Sequence, residues 1–271
     1  MERSGSWLPF GMATLQVGEA TVGYAVEGEG IPVLLFHGTT MARTSWDMVR
    51  AAMPPNTYQF ILFEFPGSGE SSMPTSALTI EGIVDQALAL MTELGHQTFH
   101  VGGYSLGAVV ALATAAIAPQ RVLSTTSLSG WAVSDARMRV TFELWNRLIV
   151  ADPELFMRYA MADGFTVGAL TMLEPMLEAM IPMGAGTLAA GSGAQLELDK
   201  VLDITELLPA IACPTLIIGG TEDRWVDISH SRSLADEIHS AQFVELPAGH
   251  LAIQELASDV ATLLHAHIAG V

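Results

Sequence analysis

Short apolar runs rich in β-branched and aromatic residues recur along the chain, separated by stretches with helical spacing. They are Ala13 to Val17, Thr21 to Val26, Pro32 to Phe36, Gln59 to Phe63, Thr98 to Val101, Val122 to Leu128, Thr215 to Ile218 and Gln242 to Leu246, and they predict eight strands. Gly18 and Glu19 join the first two as a hairpin. The later runs are almost continuously apolar, as parallel strands must be when helices cover both faces of the sheet. Between them, Ile80, Ile83, Val84, Ala87, Met91 and Leu94 share one helical face behind Thr79, a candidate N-cap. The pattern predicts an α/β fold on a mostly parallel eight-stranded sheet.

The alternation stops after Gly130. From Ala132 to about Thr205 the chain offers helical pieces and no convincing strand, which is read as an inserted helical cap over 132–205 on a core of 1–131 and 206–271. Half of the 14 methionines fall there: Met138, Met157, Met161, Met172, Met176, Met180 and Met183. Each taken singly fits a core stripe, whereas together they suit an adaptable apolar pocket roof. Gly184, Gly186, Gly191 and Gly193 mark a loop, either a hinge or a plain connection. Arg137, Arg139, Arg147 and Arg158 could clamp a carboxylate. The i,i+4 spacings Arg139/Glu143, Glu143/Arg147 and Glu154/Arg158 account for three of them as solvated pairs.

Composition narrows the class. The chain has 271 residues, half of them hydrophobic and 15% charged, so disorder is excluded and one large α/β domain fits the length. Its 29 acidic against 11 basic residues give a formal charge of −18, which repels nucleic-acid phosphates and anionic lipid. The expected partner is a small-molecule substrate bound by a monomer or homodimer, not nucleic acid and not a membrane. Leu94 to Gln120 lacks formal charge, but His96, Gln97, Thr98, His100, Gly102, Gly103 and Ser105 break the continuity a span of ~20 residues needs. Met1 to Phe10 holds Glu2 and Arg3 and no apolar h-region, which predicts no secretory leader. The single cysteine, Cys213, allows no intrachain disulfide, fits a reducing compartment and reads as buried packing. A cytoplasmic location is expected.

The chemistry begins at Gly103-Tyr104-Ser105-Leu106-Gly107, a G-x-S-x-G between the run ending at Val101 and the small-residue helix Ala108 to Ala118. A serine on so sharp a turn has strained backbone angles, and glycines two residues away let strand and helix pass. Ser105 is the candidate nucleophile, raised at a helix N-terminus that favours a developing anion. A hydroxyl needs an imidazole to take its proton and a carboxylate to orient that imidazole. His250, in Pro247-Ala248-Gly249-His250 after the last strand, is the base, and Asp223, after Gly219-Gly220-Thr221-Glu222, is the acid. Glu222 and Asp227 compete with Asp223 and read better as surface carboxylates. His96, His100, His239, His265 and His267 fall near helix ends or surfaces, and no zinc site or cofactor emerges. Of the two oxyanion donors required, the Leu106 amide is one, and His37-Gly38-Thr39-Thr40 supplies the other at Thr39. His37 reads as structural. Trp46, Tyr104, Trp131, Met138 and Met161 are the candidate pocket walls, with core packing an equal account of both tryptophans.

These residues resemble the α/β-hydrolase superfamily, in particular its capped esterase, lactonase and C–C hydrolase members, including enzymes similar to 3-oxoadipate enol-lactonase. The resemblance is carried by His37-Gly38, Glu64-Phe65-Pro66-Gly67-Ser68-Gly69-Glu70-Ser71, Gly103 to Gly107, Gly220-Thr221-Glu222-Asp223 and Gly249-His250, in that order over nearly the whole chain. It implies a fold of α/β-hydrolase type, with Ser105 as nucleophile, Asp223 as acid, His250 as base, and Thr39 and Leu106 as oxyanion donors. Glu64 departs from the aspartate usual at that structural position.

The expected activity is hydrolysis of an ester, lactone or thioester of a neutral, fairly hydrophobic small molecule through an acyl-enzyme. C–C bond hydrolysis, perhydrolysis or a cofactor-free lyase or oxygenase reaction would use the same residues. From another class comes a non-catalytic small-molecule receptor on the same fold. The full set of nucleophile, base and acid argues against it.

Overall fold

The computed structural model describes residues 12–239 and 241–271, so the leader reading at Met1 to Phe10 lies outside the described residues. Eight strands form one sheet: β1 (Met12–Val17), β2 (Ala20–Glu27), β3 (Ile31–Phe36), β4 (Tyr58–Phe63), β5 (Phe99–Tyr104), β6 (Val122–Leu128), β7 (Thr215–Gly220) and β8 (Ala241–Leu246). Their order is β1-β2-β4-β3-β5-β6-β7-β8. The β1–β2 and β2–β4 pairs are antiparallel and the rest are parallel. All eight expected strands are present. β5 runs on to Tyr104 because Gly102 and Gly103, which look like a stop in the sequence, still pair with Leu35 and Phe36 of β3.

Helices α1 (Asp47–Ala52), α2 (Ile80–Glu93), α3 (Leu106–Ile117), α9 (Ile228–Glu237), α10 (Ala252–Glu255) and α11 (Ala257–Ala269) cover the sheet. On one face the core joins Ile83, Val84 and Met91 of α2 to α3 and Leu234 of α9. On the other it joins Val49 of α1 to Ala252 and Ile253 of α10 and Val260 and Leu264 of α11. Thr79 caps α2, its Oγ1 accepting the Gly82 amide at 3.1 Å. α3 is buried from Leu106 to Ala116, and its alanines, valines and glycine let it lie close on β5 and β6. Among the described residues no helix is long and apolar enough to cross a membrane.

Between β6 and β7 the chain is helical: α4 (Ala136–Ala151), α5 (Pro153–Gly164), α6 (Val167–Leu173), α7 (Leu177–Ala185) and α8 (Ser192–Val201). Asp135, Asp152 and Thr166 cap α4, α5 and α6 through their side-chain oxygens, which explains why these helices start where they do. A single bridge, Val133 with Asp203, closes the base of the excursion.

Several expectations are corrected here. Gly184 lies inside α7 and Gly193 inside α8, so the loop is confined to 186–191. Arg147 pairs with Glu143, but Arg158 reaches Glu178 on α7 instead of Glu154, and Arg139 donates to the Ser134 carbonyl. Helical spacing names possible partners, and a neighbouring helix or a carbonyl just before the helix offers better ones. His100 is not at a surface: it is buried in β5, its Nδ1 2.8 Å from Ser124 Oγ, and burial pushes it down to about 4. Cys213 is buried, its thiol pushed up to about 11.

Candidate active site

The sheet's connectivity makes the site. The chain leaves β3 toward β4 on one side and returns to β5 on the other, and ligands of open α/β sheets gather at such a reversal, outside the carboxyl ends of the strands. Phe36 pairs with Gly103, and Gly220 with Leu246. The loops after β3, β5, β7 and β8 therefore open on the same edge.

Ser105 stands between β5 and α3 with φ 57° and ψ −123°, a region that residues with a Cβ rarely adopt. The flanking glycines are required by contact. A Cβ on Gly103 would come 1.8 Å from the Gly107 carbonyl oxygen, and one on Gly107 would come 2.4 Å from that of Phe36. The turn is pinned by the Ser105 amide donating to the Leu128 carbonyl at 2.9 Å.

His250 Nε2 lies 3.0 Å from Ser105 Oγ, and its Nδ1 lies 2.7 Å from Asp223 Oδ2. The other carboxylate oxygen, Oδ1, accepts the amides of Trp225 and Val226, each at 2.9 Å. An ionised carboxylate only accepts, so Nδ1–H donates to it and the Nε2 lone pair faces the serine hydroxyl. Ser105, Asp223 and His250 are all buried. The competing carboxylates stand elsewhere: Glu222 is exposed, and Asp227 caps α9 by accepting the Ser229 amide. The imidazole sits between two rings, Tyr104 at 5.3 Å and Trp225 at 4.8 Å. Burial, with the Asp223 charge beside it, keeps the Tyr104 phenol protonated well above its usual range.

His37 is fully buried. Its Nδ1–H donates to the Gly38 carbonyl at 2.7 Å while Nε2 accepts the Phe65 amide at 3.1 Å, which fixes the neutral tautomer. Burial pushes it down to about 4, so its 3.6 Å approach to Glu64 is not an ion pair at neutral pH. Arg43 is the partner of Glu64, at 2.7 Å. Glu64 fills the space above Gly69, where a Cβ would come 2.5 Å from its carboxyl carbon. The Leu106 amide lies in the first turn of α3, where no helix carbonyl is in reach to accept it.

A cavity of about 340 Å³ opens over Ser105 and His250. The helices between β6 and β7 line it with Trp145, Phe156, Met157, Met161, Phe165 and Met180, and the sheet side adds Thr39, Thr40, Ser45 and Gln254. No Asp, Glu, Lys or Arg is among the lining residues. Of the candidate walls, Tyr104 and Met161 line the cavity, whereas Trp46, Trp131 and Met138 do not. Trp46 is buried in the core on the α1 and α11 face and donates to the Phe36 carbonyl at 2.9 Å. Trp131 donates to Ser134 Oγ at 2.9 Å, and Met138 is buried in the same core cluster as Trp131. Sequence reasoning missed Trp145 and Trp225, whose rings meet edge-on at 4.5 Å. Trp225 was within reach, two residues after Asp223; Trp145, inside an amphipathic helix, carried no distinguishing signal. It also missed Gln195 and Asp199 of α8, which bond the loop after β3. Burial pushes the Asp199 carboxyl up to about 8.

Residues 31–179 match the family model described as alpha/beta hydrolase fold. A pyrrolizixenacetamide deacetylase of Xenorhabdus hominickii is 30% identical over 261 residues, covering 95% of this chain and 98% of that protein. Among solved structures, the enol-lactonase of Burkholderia xenovorans LB400 superposes with a TM-score of 0.85 at 21% identity, covering 94% of this chain and 99% of that one. A thermophilic esterase from Thermogutta terrifontis, malate bound, gives 0.82 at 24%, covering 96% and 98%. With more than half of its length matched by one family model and a relative aligned almost end to end, the chain belongs to the α/β-hydrolase fold family.

Proposed function

We propose that the protein is a serine hydrolase that cleaves an ester, lactone or thioester of a neutral, fairly hydrophobic small molecule through an acyl-enzyme. The observation that carries this reading is the 3.0 Å contact of His250 Nε2 with Ser105 Oγ, with Asp223 on the other ring nitrogen. Ser105 Oγ attacks the substrate carbonyl as His250 takes its proton, and the amides of Thr39 and Leu106 receive the oxyanion. His250 then gives the proton to the leaving group. Deacylation repeats the sequence with a water deprotonated by His250, which releases the acid and restores Ser105. Asp223 stabilises the imidazolium formed in each half.

The neutral, apolar character of the substrate rests on the cavity lining. A carboxylate placed there meets no cation, and leaving it unpaired in an apolar site is costly. The stretch 132–205 acts in this reading as a cap whose methionines adapt to the substrate's apolar part. The Xenorhabdus relative is named for deacetylating an acetamide, so amides belong in the substrate panel beside esters and lactones.

The test is turnover of p-nitrophenyl esters of graded chain length, a lactone series and aryl acetamides, with fluorophosphonate labelling. Saturable hydrolysis, a single phosphonylated serine, and loss of both in Ser105→Ala are expected. Full activity of Ser105→Ala would overturn the reading, as would tight ligand binding with no product formed.

A further inference from the structure

The loop after β3 is held by a helix from the far side of the sequence. On α8, Gln195 and Asp199 are four residues apart, hence on one face, and both are fully buried. Gln195 Oε1 accepts the Thr40 amide at 3.0 Å, while its Nε2 donates to Ser68 Oγ at 2.9 Å and to the Pro66 carbonyl at 3.3 Å. Thr40 N–H can only donate and Pro66 C=O can only accept, so the carboxamide has one possible orientation. Asp199 Oδ2 accepts from Thr39 Oγ1 at 2.7 Å. The Ala189 amide adds a third bond, to the Thr40 carbonyl at 3.1 Å.

Thr40 shows why the loop needs holding. Its φ is 68°, in the left-handed region that a β-branched side chain strongly disfavours, so the conformation persists only where its surroundings impose it. Those surroundings are Gln195 and Ala189. Asp199 adds a constraint at the preceding residue, and it does so at a cost, because its Oδ1 is buried without a partner. Thr39, between Gly38 and this strained residue, carries the amide assigned to the oxyanion.

Resting on the serine-hydrolase reading above, we propose that Asp199, through the Thr39 hydroxyl, is a positioning residue that holds the Thr39 amide where the oxyanion forms, on a loop that Gln195 also braces. Its effect falls on the transition state. The ground-state carbonyl needs the amide little, so losing the clamp lowers kcat and leaves KM almost unchanged.

The test compares purified full-chain variants on the best ester of the panel. Thr39→Val removes only the hydroxyl and keeps the backbone amide. Its kcat is expected to fall about 10- to 100-fold with KM within about 3-fold, a part of the effect of deleting an oxyanion donor outright. Asp199→Leu should lose as much. Asp199→Asn, whose carboxamide oxygen still accepts from Thr39, should recover most of that loss. The double variant Thr39→Val/Asp199→Leu should lose no more than either single, because both remove the same bond. If Asp199→Leu does not fold, Thr39→Val decides alone. The proposal is overturned if Thr39→Val keeps kcat within about 2-fold of the parent, or if its loss lies wholly in KM. An active Ser105→Ala sinks the hydrolase reading itself, whereas an inactive Ser105→Ala beside an unaffected Thr39→Val sinks only the clamp.

Discussion

The Gly249 amide donates to Glu255 Oε2 at 3.0 Å, one residue before His250. The other oxygen of the same carboxylate receives the Thr166 hydroxyl at the start of α6. One side chain of α10 therefore ties the imidazole's loop to the helices over the cavity. The Leu251 amide, donating to the Gly164 carbonyl at 3.0 Å, fixes the other flank of His250.

Glu255→Ala strips the Gly249 amide, the Thr166 amide and the Thr166 hydroxyl of their acceptor. The expected destabilisation is ~1–3 kcal/mol, with a parallel fall in kcat as His250 loses its support. Urea midpoints and steady-state rates on the same sample check this, and an unchanged midpoint would refute it.

Gly103→Ala places a methyl 1.8 Å from the Gly107 carbonyl oxygen, which is backbone and has nowhere to go. A loss above ~3 kcal/mol, or failure to accumulate as soluble protein, is expected. Thermal melting of any soluble fraction is the measurement.

Asp223→Asn preserves shape but removes the charge that accepts the His250 Nδ1–H. The imidazole then presents the wrong tautomer to Ser105, and kcat is expected to fall by ~10⁴-fold without loss of fold. Circular dichroism paired with single-turnover rates separates this from misfolding.

Asp199 gives stability a pH dependence of defined sign. Folded, its carboxyl is raised to about 8, whereas an unfolded aspartate titrates near ~3.9. Between those values the folded chain holds a proton that the unfolded chain has released, so this contribution to stability falls as pH rises through the window and is flat above it. His37, pushed down to about 4, acts oppositely: its contribution is full above ~6.5 and is lost as pH falls toward 4. Denaturation midpoints at pH 5 and pH 8 should show Asp199→Asn gaining on the parent at the higher pH. Parallel curves for the two proteins would contradict the assignment.

Met161→Lys places a cation in a cavity that has no charged side chain in its lining. Preference should move toward esters bearing a free carboxylate, by ~10-fold in relative kcat/KM. No change in the ranking of charged over neutral substrates would mean that Met161 does not face the bound molecule.

What could be read from the sequence was what is local. Gly103 to Gly107 is a turn whose signature lies within five residues, although part of its cause, the Phe36 carbonyl against Gly107, comes from β3; Asp223 and His250 each follow a strand, so order along the chain anticipated that they would share one edge. β3, β4 and β7 were legible because buried parallel strands are apolar on both faces, whereas β6 buries Ser124, Thr125, Thr126 and Ser127 and was marked by its β-branched threonines between Val122 and Leu128. Contacts that depend on how distant helices dock were not. Thr39 meets Asp199 across 160 positions, and nothing in the composition of α8 marks which of its polar residues turns inward. Trp46 and Trp131 misled for a related reason: an indole just beyond a strand end satisfies its N–H equally well against a core acceptor or beside a ligand, and only the docked helices decide which.

The bonds that α8 makes to the rest of the molecule restrict how a guest reaches Ser105. Drawing α8 outward would break Thr39 from Asp199, Thr40 from Gln195 and Gly67 from Gly191 together, all in the interior. A guest at Ser105 therefore meets Phe156, Met157, Met161, Met180 and Met183 of α5 and α7, while α8, none of whose residues lines the cavity, holds the loop beneath it.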